Sequence, residues 1–283
     1  MWKLLTFPLC PFSRKVRLLL GEKGIGYELE PEAPWQRRDE FLDMNPAGQT
    51  PVMIDTSRSG LPLIDSMAIC EYFEETVEKA SMLNGTAVER AEIRRLVTWF
   101  DTHFYRDVTA PLLHERMEKR IVHRATPDSR VLREAMKAAV AHLDYIDYLL
   151  DYRAWVGGAT MSLADLAAAS QISITDYLGG IDWKGNEQAK RWYIGMKSRP
   201  SFRPLLAERM EGINPPDHYE KLDFCPPAAP DPACNEFLRL RLRQETGRNW
   251  RQDAGTYTSL ARQQPERAPR GRRQAGDRSA RAG

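Results

Sequence analysis

Cys10-Pro-Phe-Ser13 is the run best suited to chemistry. It lies between an apolar stretch that suits a buried strand, 2–7, and a helix read over 13–24. A thiol at a helix N-terminus meets unpaired N–H groups and the positive end of the dipole. Both favour the thiolate, the reactive form. Arg14 and Lys15 are expected to add positive charge beside it. Ser stands at the fourth place where a resolving Cys would stand, so such a site forms mixed disulfides and no internal one. The plainer reading is a structural cysteine buried at a strand end.

Two further runs have the same character. Gln49-Thr50-Pro51-Val52 precedes a strand. Proline has no N–H for a ladder, so Pro51 belongs at a strand's first residue, and a cis bond before it fits there. Asp65-Ser66 follows the next strand and starts a helix. That helix N-terminus attracts a carboxylate, although simple capping accounts for the same pair.

The elements that must position these residues follow from periodicity. Strands are read at 2–7, 27–31, 52–55 and 61–64, with helices over 13–24 and 66–78 and a partly helical connection over 35–45. The order is β-α-β-α-β-β-α in about 80 residues, counting apolar periods. Strands then stop. Helices are read over 88–108, 111–123, 130–151, 163–177, 187–198 and 202–210. Ser162 caps the fourth of these, and Asp165 can return a bond to the Ser162 backbone. A small α/β domain, 1–80, is thus followed by an all-helical one, 87–214, and a short docking segment, 215–224.

Together these motifs become specific. Cys-Pro-Phe-Ser, then NPAGQTPV, then LIDSMAICEYFEE, then SLADLAAA, in that order, resembles the glutathione S-transferase superfamily over 1–210. The resemblance implies a thioredoxin-like N-terminal domain, a C-terminal helical bundle and a homodimer. It places Cys10 or Ser13 at the glutathione sulfur. Gln49, Thr50 and Pro51 then form the cis-proline element that pairs with the cysteinyl unit. Asp65 and Ser66 hold the γ-glutamyl end, and Ser162 and Asp165 are structural. The runs NGTAVERAEIRRL, PLLHERMEKR and DYLGGIDW narrow it to an alphaproteobacterial branch. That branch acts in cell division by binding filaments of the tubulin-like protein FtsZ. This implies a cytoplasmic protein at the division site, with no required cofactor and glutathione only as a possible ligand. The alternative is a cytosolic thiol-type glutathione S-transferase using Cys10.

Two surface features suit a binding protein. Trp35 lies among Gln36, Arg37, Arg38, Asp39 and Glu40, a setting for a hot spot facing an acidic partner. The 215–224 segment combines Tyr219 and Phe224 with acids including Asp223, and docks either on its own domain or on a partner. No GxxxxGK[ST] motif is present, so any nucleotide effect would act through the partner. The five histidines lack HxxxH or HExxH spacing, so no metal site is expected. Tyr145, Tyr148, Tyr152 and Trp155 are expected to pack the helical core.

Composition sets the limits. Apolar residues make up 42% and charged residues 28% of 283, which excludes a wholly disordered or collagen-like chain. No apolar run approaches the ~18 residues of a membrane span, and the start lacks the pattern of a secretory signal. Four cysteines do not make a disulfide framework. The net charge of +2 conceals an asymmetry: residues 225–283 hold 12 Arg, no Lys and 6 acids, so they carry +6 and the rest −4. This tail is read as disordered. Its few aromatics make nucleic-acid binding the weaker reading.

Overall fold

The computed structural model describes residues 1–57 and 62–221. By packing, the chain divides after Phe224, and Met1–Phe224 form one unit. The expected tail, 225–283, lies outside the described residues, as do Asp223 and Phe224.

Four strands form one sheet in the order β2-β1-β3-β4. They are β1 (Trp2–Thr6), β2 (Tyr27–Pro31), β3 (Val52–Asp55) and β4 (Leu63–Ile64). β1 runs parallel to β2, with Leu4 opposite Leu29, and antiparallel to β3, with Leu4 opposite Met53. The parallel pair needs a crossover, and α1 (Pro11–Lys23) supplies it. Successive strand residues face opposite sides, and both sides of this sheet are covered. Leu4 and Met53 join the main core, while Leu5 and Val52 pack with Phe41 of α2 (Asp39–Met44). The sheet therefore lies between α2 on one side and α1 with α3 (Ser66–Thr76) on the other.

α1 begins at Pro11, whose missing N–H costs nothing in a first turn. It ends at Gly24, whose φ of 70° suits a residue without Cβ. α4 (Ala87–Thr98) opens with a capping box, Thr86 with Glu89. It continues as a π-wound stretch, Trp99–Thr109, then α5 (Ala110–Leu113), then a second π-wound stretch, His114–His123. The sequence reading made this two helices, but it is one continuous rod. Pro111 lies inside it without an N–H to donate. α6 (Ser129–Tyr152), α7 (Leu163–Tyr177), α8 (Glu187–Lys197) and α9 (Arg203–Ala207) complete the bundle. Every residue of α7 is buried, and α1 packs directly on it. The Ala- and Ser-rich face of α7 allows this close approach.

Asp165 anchors α7. It accepts from Ser162 N and Oγ at 3.0 Å each, from Val156 N at 2.8 Å and from Trp192 Nε1 at 2.9 Å. Tyr145 and Trp155 pack against the core as expected. Tyr148 and Tyr152 do not: they are 51% and 78% exposed, edge to face with each other. They sit four apart on the outer face of α6, where periodicity directs them to solvent.

Candidate functional site

The N-terminal end of α1 brings Cys10 and Thr50 together. Cys10 is the N-cap residue and is 2% exposed. Its Sγ accepts from Ser13 N at 3.4 Å and from Thr50 Oγ1 at 3.2 Å, and its S–H faces Thr50 O at 3.4 Å. The Thr50–Pro51 bond is cis. Burial pushes the Cys10 thiol up, against the hydrogen bonds from Ser13 and Thr50. This corrects the expectation of a thiolate: the helix N-terminus is present, but the sulfur has lost its water.

The charges expected beside the thiol also lie elsewhere. Arg14 donates to Pro8 O, Ser173 Oγ and the Tyr219 hydroxyl. Lys15 pairs with Asp101. Both are fully buried at the seam between the α/β part and the helices.

Ser13 is fully buried, and its Oγ has no hydrogen-bond partner among the described residues. An unpartnered hydroxyl close to Cys10 suits a sulfur ligand. Asp65 caps α3 by accepting from Met67 N at 2.7 Å and Ala68 N at 3.1 Å. It does so at a φ of 75°, a strained value for a residue with a Cβ. Ser66 is buried beside it and Gln49 is exposed. Asp65 thus caps α3 through Met67 N and Ala68 N.

Sequence reasoning did not find Tyr105. It projects from the first π-wound stretch and packs its ring 4.8 Å from Phe12. Burial pushes its phenol up, and the nearby Cys10 adds to the rise. An aromatic from the helical half thus stands over the α1 N-terminus. Its position four residues from Asp101 on one face was the only available signal.

Residues 9–76 match the family described as Glutathione S-transferase, N-terminal domain. FtsZ-localized protein A of Caulobacter vibrioides is 45% identical over 219 residues, 77% of this chain and 96% of that protein. The chain belongs to the glutathione S-transferase family. A crystal structure of a glutathione S-transferase from Rhodospirillum rubrum F11 has 46% identity and a TM-score of 0.77, covering 79% of this chain and all of that one. Glutathione S-transferase 3 of Zea mays is 25% identical over 216 residues, 72% of this chain and 93% of that one. The expected transferase fold is thus shown.

On this transferase fold the expected partner-facing residues separate. Trp35 sits in a short 3₁₀ turn, Pro34–Gln36, half-buried, with its ring 5.5 Å from Phe7. Arg38 is 43% exposed and pairs with the buried Glu32 at 2.5 Å. Tyr219 is not a surface residue. It is fully buried, edge to face with Tyr177 at 5.1 Å. Its hydroxyl accepts from Nη1 of the buried Arg14, so the segment docks on its own domain at this point. Among the described residues no group of three His, Cys, Asp or Glu is placed to hold a metal ion, and no helix is long and apolar enough to cross a membrane.

Proposed function

We propose that this protein is a cell-division factor that binds FtsZ filaments and organises or curves them, using the transferase fold without a required transferase step. The observation that carries this is the 45% identity across 96% of FtsZ-localized protein A. The site supports it: a buried thiol with a raised pKa is a poor nucleophile at neutral pH. The mechanism is binding alone. A homodimer offers two identical surfaces, and two filament contacts at fixed separation convert the second binding into an intramolecular event. Trp35 and Arg38 belong to the surface assigned to the filament. The place of action is the cytoplasm at the division site.

The test is co-sedimentation of the full chain with polymerised FtsZ, alongside calorimetry with glutathione. Clear co-sedimentation that Trp35→Ala weakens and Cys10→Ala leaves intact supports the reading. Glutathione binding in the micromolar-to-millimolar range without co-sedimentation overturns it.

That second outcome would favour a thiol-type glutathione S-transferase. The specific observation behind this alternative is the unpartnered Ser13 Oγ close to the Cys10–Thr50 pair. There Cys10 would attack a disulfide, form a mixed disulfide and release the other sulfur as a thiol. Thr50, Asp65 and Ser66 would hold glutathione. A Cys10→Ala variant would then lose all turnover.

A further inference from the structure

A groove of about 370 Å³, lined by none of Cys10, Ser13, Thr50 or Asp65, lies between the second π-wound stretch, the end of α7 and the 213–216 turn. Its lining contains two guanidiniums, Arg116 and Arg120, and no carboxylate. The rest is largely apolar, including Leu178, Ile213 and Pro216.

Arg116 donates to Leu178 O. Burial alone pulls its pKa down, with no neighbouring carboxylate to offset it. Arg120 is exposed and makes no ion pair among the described residues. The acids close in sequence are already engaged: Glu115 pairs with Lys119, and Glu118 with His114. Gly179 keeps the groove open. Its φ is 66°, and a Cβ there would come 3.0 Å from Arg116 Nη1 and 3.4 Å from Pro216 Cγ.

We propose that this groove docks an acidic, apolar segment of a partner protein in extended form. Arg116 and Arg120 stand four apart on the second π-wound stretch and both line the groove. Alternate residues of an extended strand lie ~7 Å apart on one side. Two carboxylates with one residue between them therefore meet both guanidiniums. Apolar residues flanking them cover Leu178, Ile213 and Pro216. A half-buried cation without a carboxylate gains most from such a partner, because charge-assisted bonds strengthen where water is excluded. The proposal does not require that the partner be FtsZ.

The experiment is fluorescence anisotropy of the full chain with a fluorescein-labelled heptapeptide. The peptide has Glu at its third and fifth positions and Val elsewhere. The control has Gln at both places. The expected result is saturable binding of the Glu peptide that weakens about tenfold on Arg120→Ala and disappears on Arg120→Glu. Arg120→Lys recovers part of it. Raising salt to ~300 mM weakens it further. Arg133→Glu, a charge reversal on exposed α6, leaves it unchanged. The proposal is overturned if the Glu peptide shows no saturable binding, if the Gln peptide binds equally, or if Arg120→Glu binds like the parent.

Discussion

Arg14 donates from Nη1 to the Tyr219 hydroxyl at 2.9 Å, joining the first helix to the last described segment across 205 positions. The same nitrogen reaches Ser173 Oγ at 3.0 Å, and Nε reaches Pro8 O at 3.0 Å. Glu208 lies 3.9 Å from Nη2 and takes two bonds from Arg17 at 2.8 Å each. A buried guanidinium is costly unless its donors find acceptors. Here the acceptors for Nε and Nη1 come from the β1–α1 junction, α7 and the chain after α9, and Nη2 has only the Glu208 charge at 3.9 Å, so these bonds tie three distant pieces together.

Tyr219→Phe tests the junction. The ring stays against Tyr177, but Arg14 loses an acceptor it cannot replace from water. The expected cost is about 1–3 kcal/mol. It is read as a lower urea midpoint at unchanged slope. An unchanged midpoint would mean that the hydroxyl contributes only shape.

The thiols give a second expectation. Burial pushes Cys10 up, and burial pushes Cys70 up to about 12. For an acid whose folded pKa is raised, the unfolded chain ionises first as pH rises. Stability is therefore full below the unfolded value and falls as pH climbs toward 12. A Cys225→Ser, Cys234→Ser variant retains only these two thiols, both buried. It should react with a disulfide reagent at neutral pH at least roughly tenfold more slowly when folded than in urea. Equal rates would show that the thiols are open to solvent in the folded protein.

Glu22 sets a limit on the acid side. Burial pushes its carboxyl up, but hydrogen bonds from Arg199 and Ser201 outweigh this and hold it below the usual range. Arg199 grips it with Nε at 2.6 Å and Nη2 at 2.7 Å. For an acid with a depressed folded pKa, the stabilisation is present above the unfolded value, near ~4.3. It is lost as pH falls through the folded one. Glu22→Gln should therefore lower stability at pH 7 and flatten its decline below about pH 5. A parallel decline in both proteins would remove Glu22 from the acid response.

How much of this was legible depends on where each residue sits. Cys10, Thr50–Pro51, Asp65–Ser66 and the Ser162–Asp165 cap all stand at element boundaries. There residue type and conformation are tightly linked, so spacing alone located them. Arg14, Lys15 and Tyr219 were misplaced for one reason. Charge and a terminal aromatic ordinarily mark a solvated face, and nothing local says that a distant chain will supply acceptors. Tyr105 was missed because its role depends on how the helical rod crosses α1, a tertiary fact.

Trp35 carries the sharpest functional expectation. It is half-buried on Phe7, so Trp35→Ala should cost about 1–2 kcal/mol, less than the ~3–5 of a fully buried aromatic. The protein should still fold. Trp35→Phe preserves the edge-to-face contact and should recover most of that stability. If the indole meets the filament, Trp35→Phe should remain weak in co-sedimentation with FtsZ, since tryptophan anchors lose much of their value on truncation. Arg38→Ala should weaken it too and raise its insensitivity to salt, because a charge that steers a partner is screened at high ionic strength. If Trp35→Phe restores pelleting as fully as it restores stability, Trp35 is a packing residue, and the filament surface lies elsewhere on the fold.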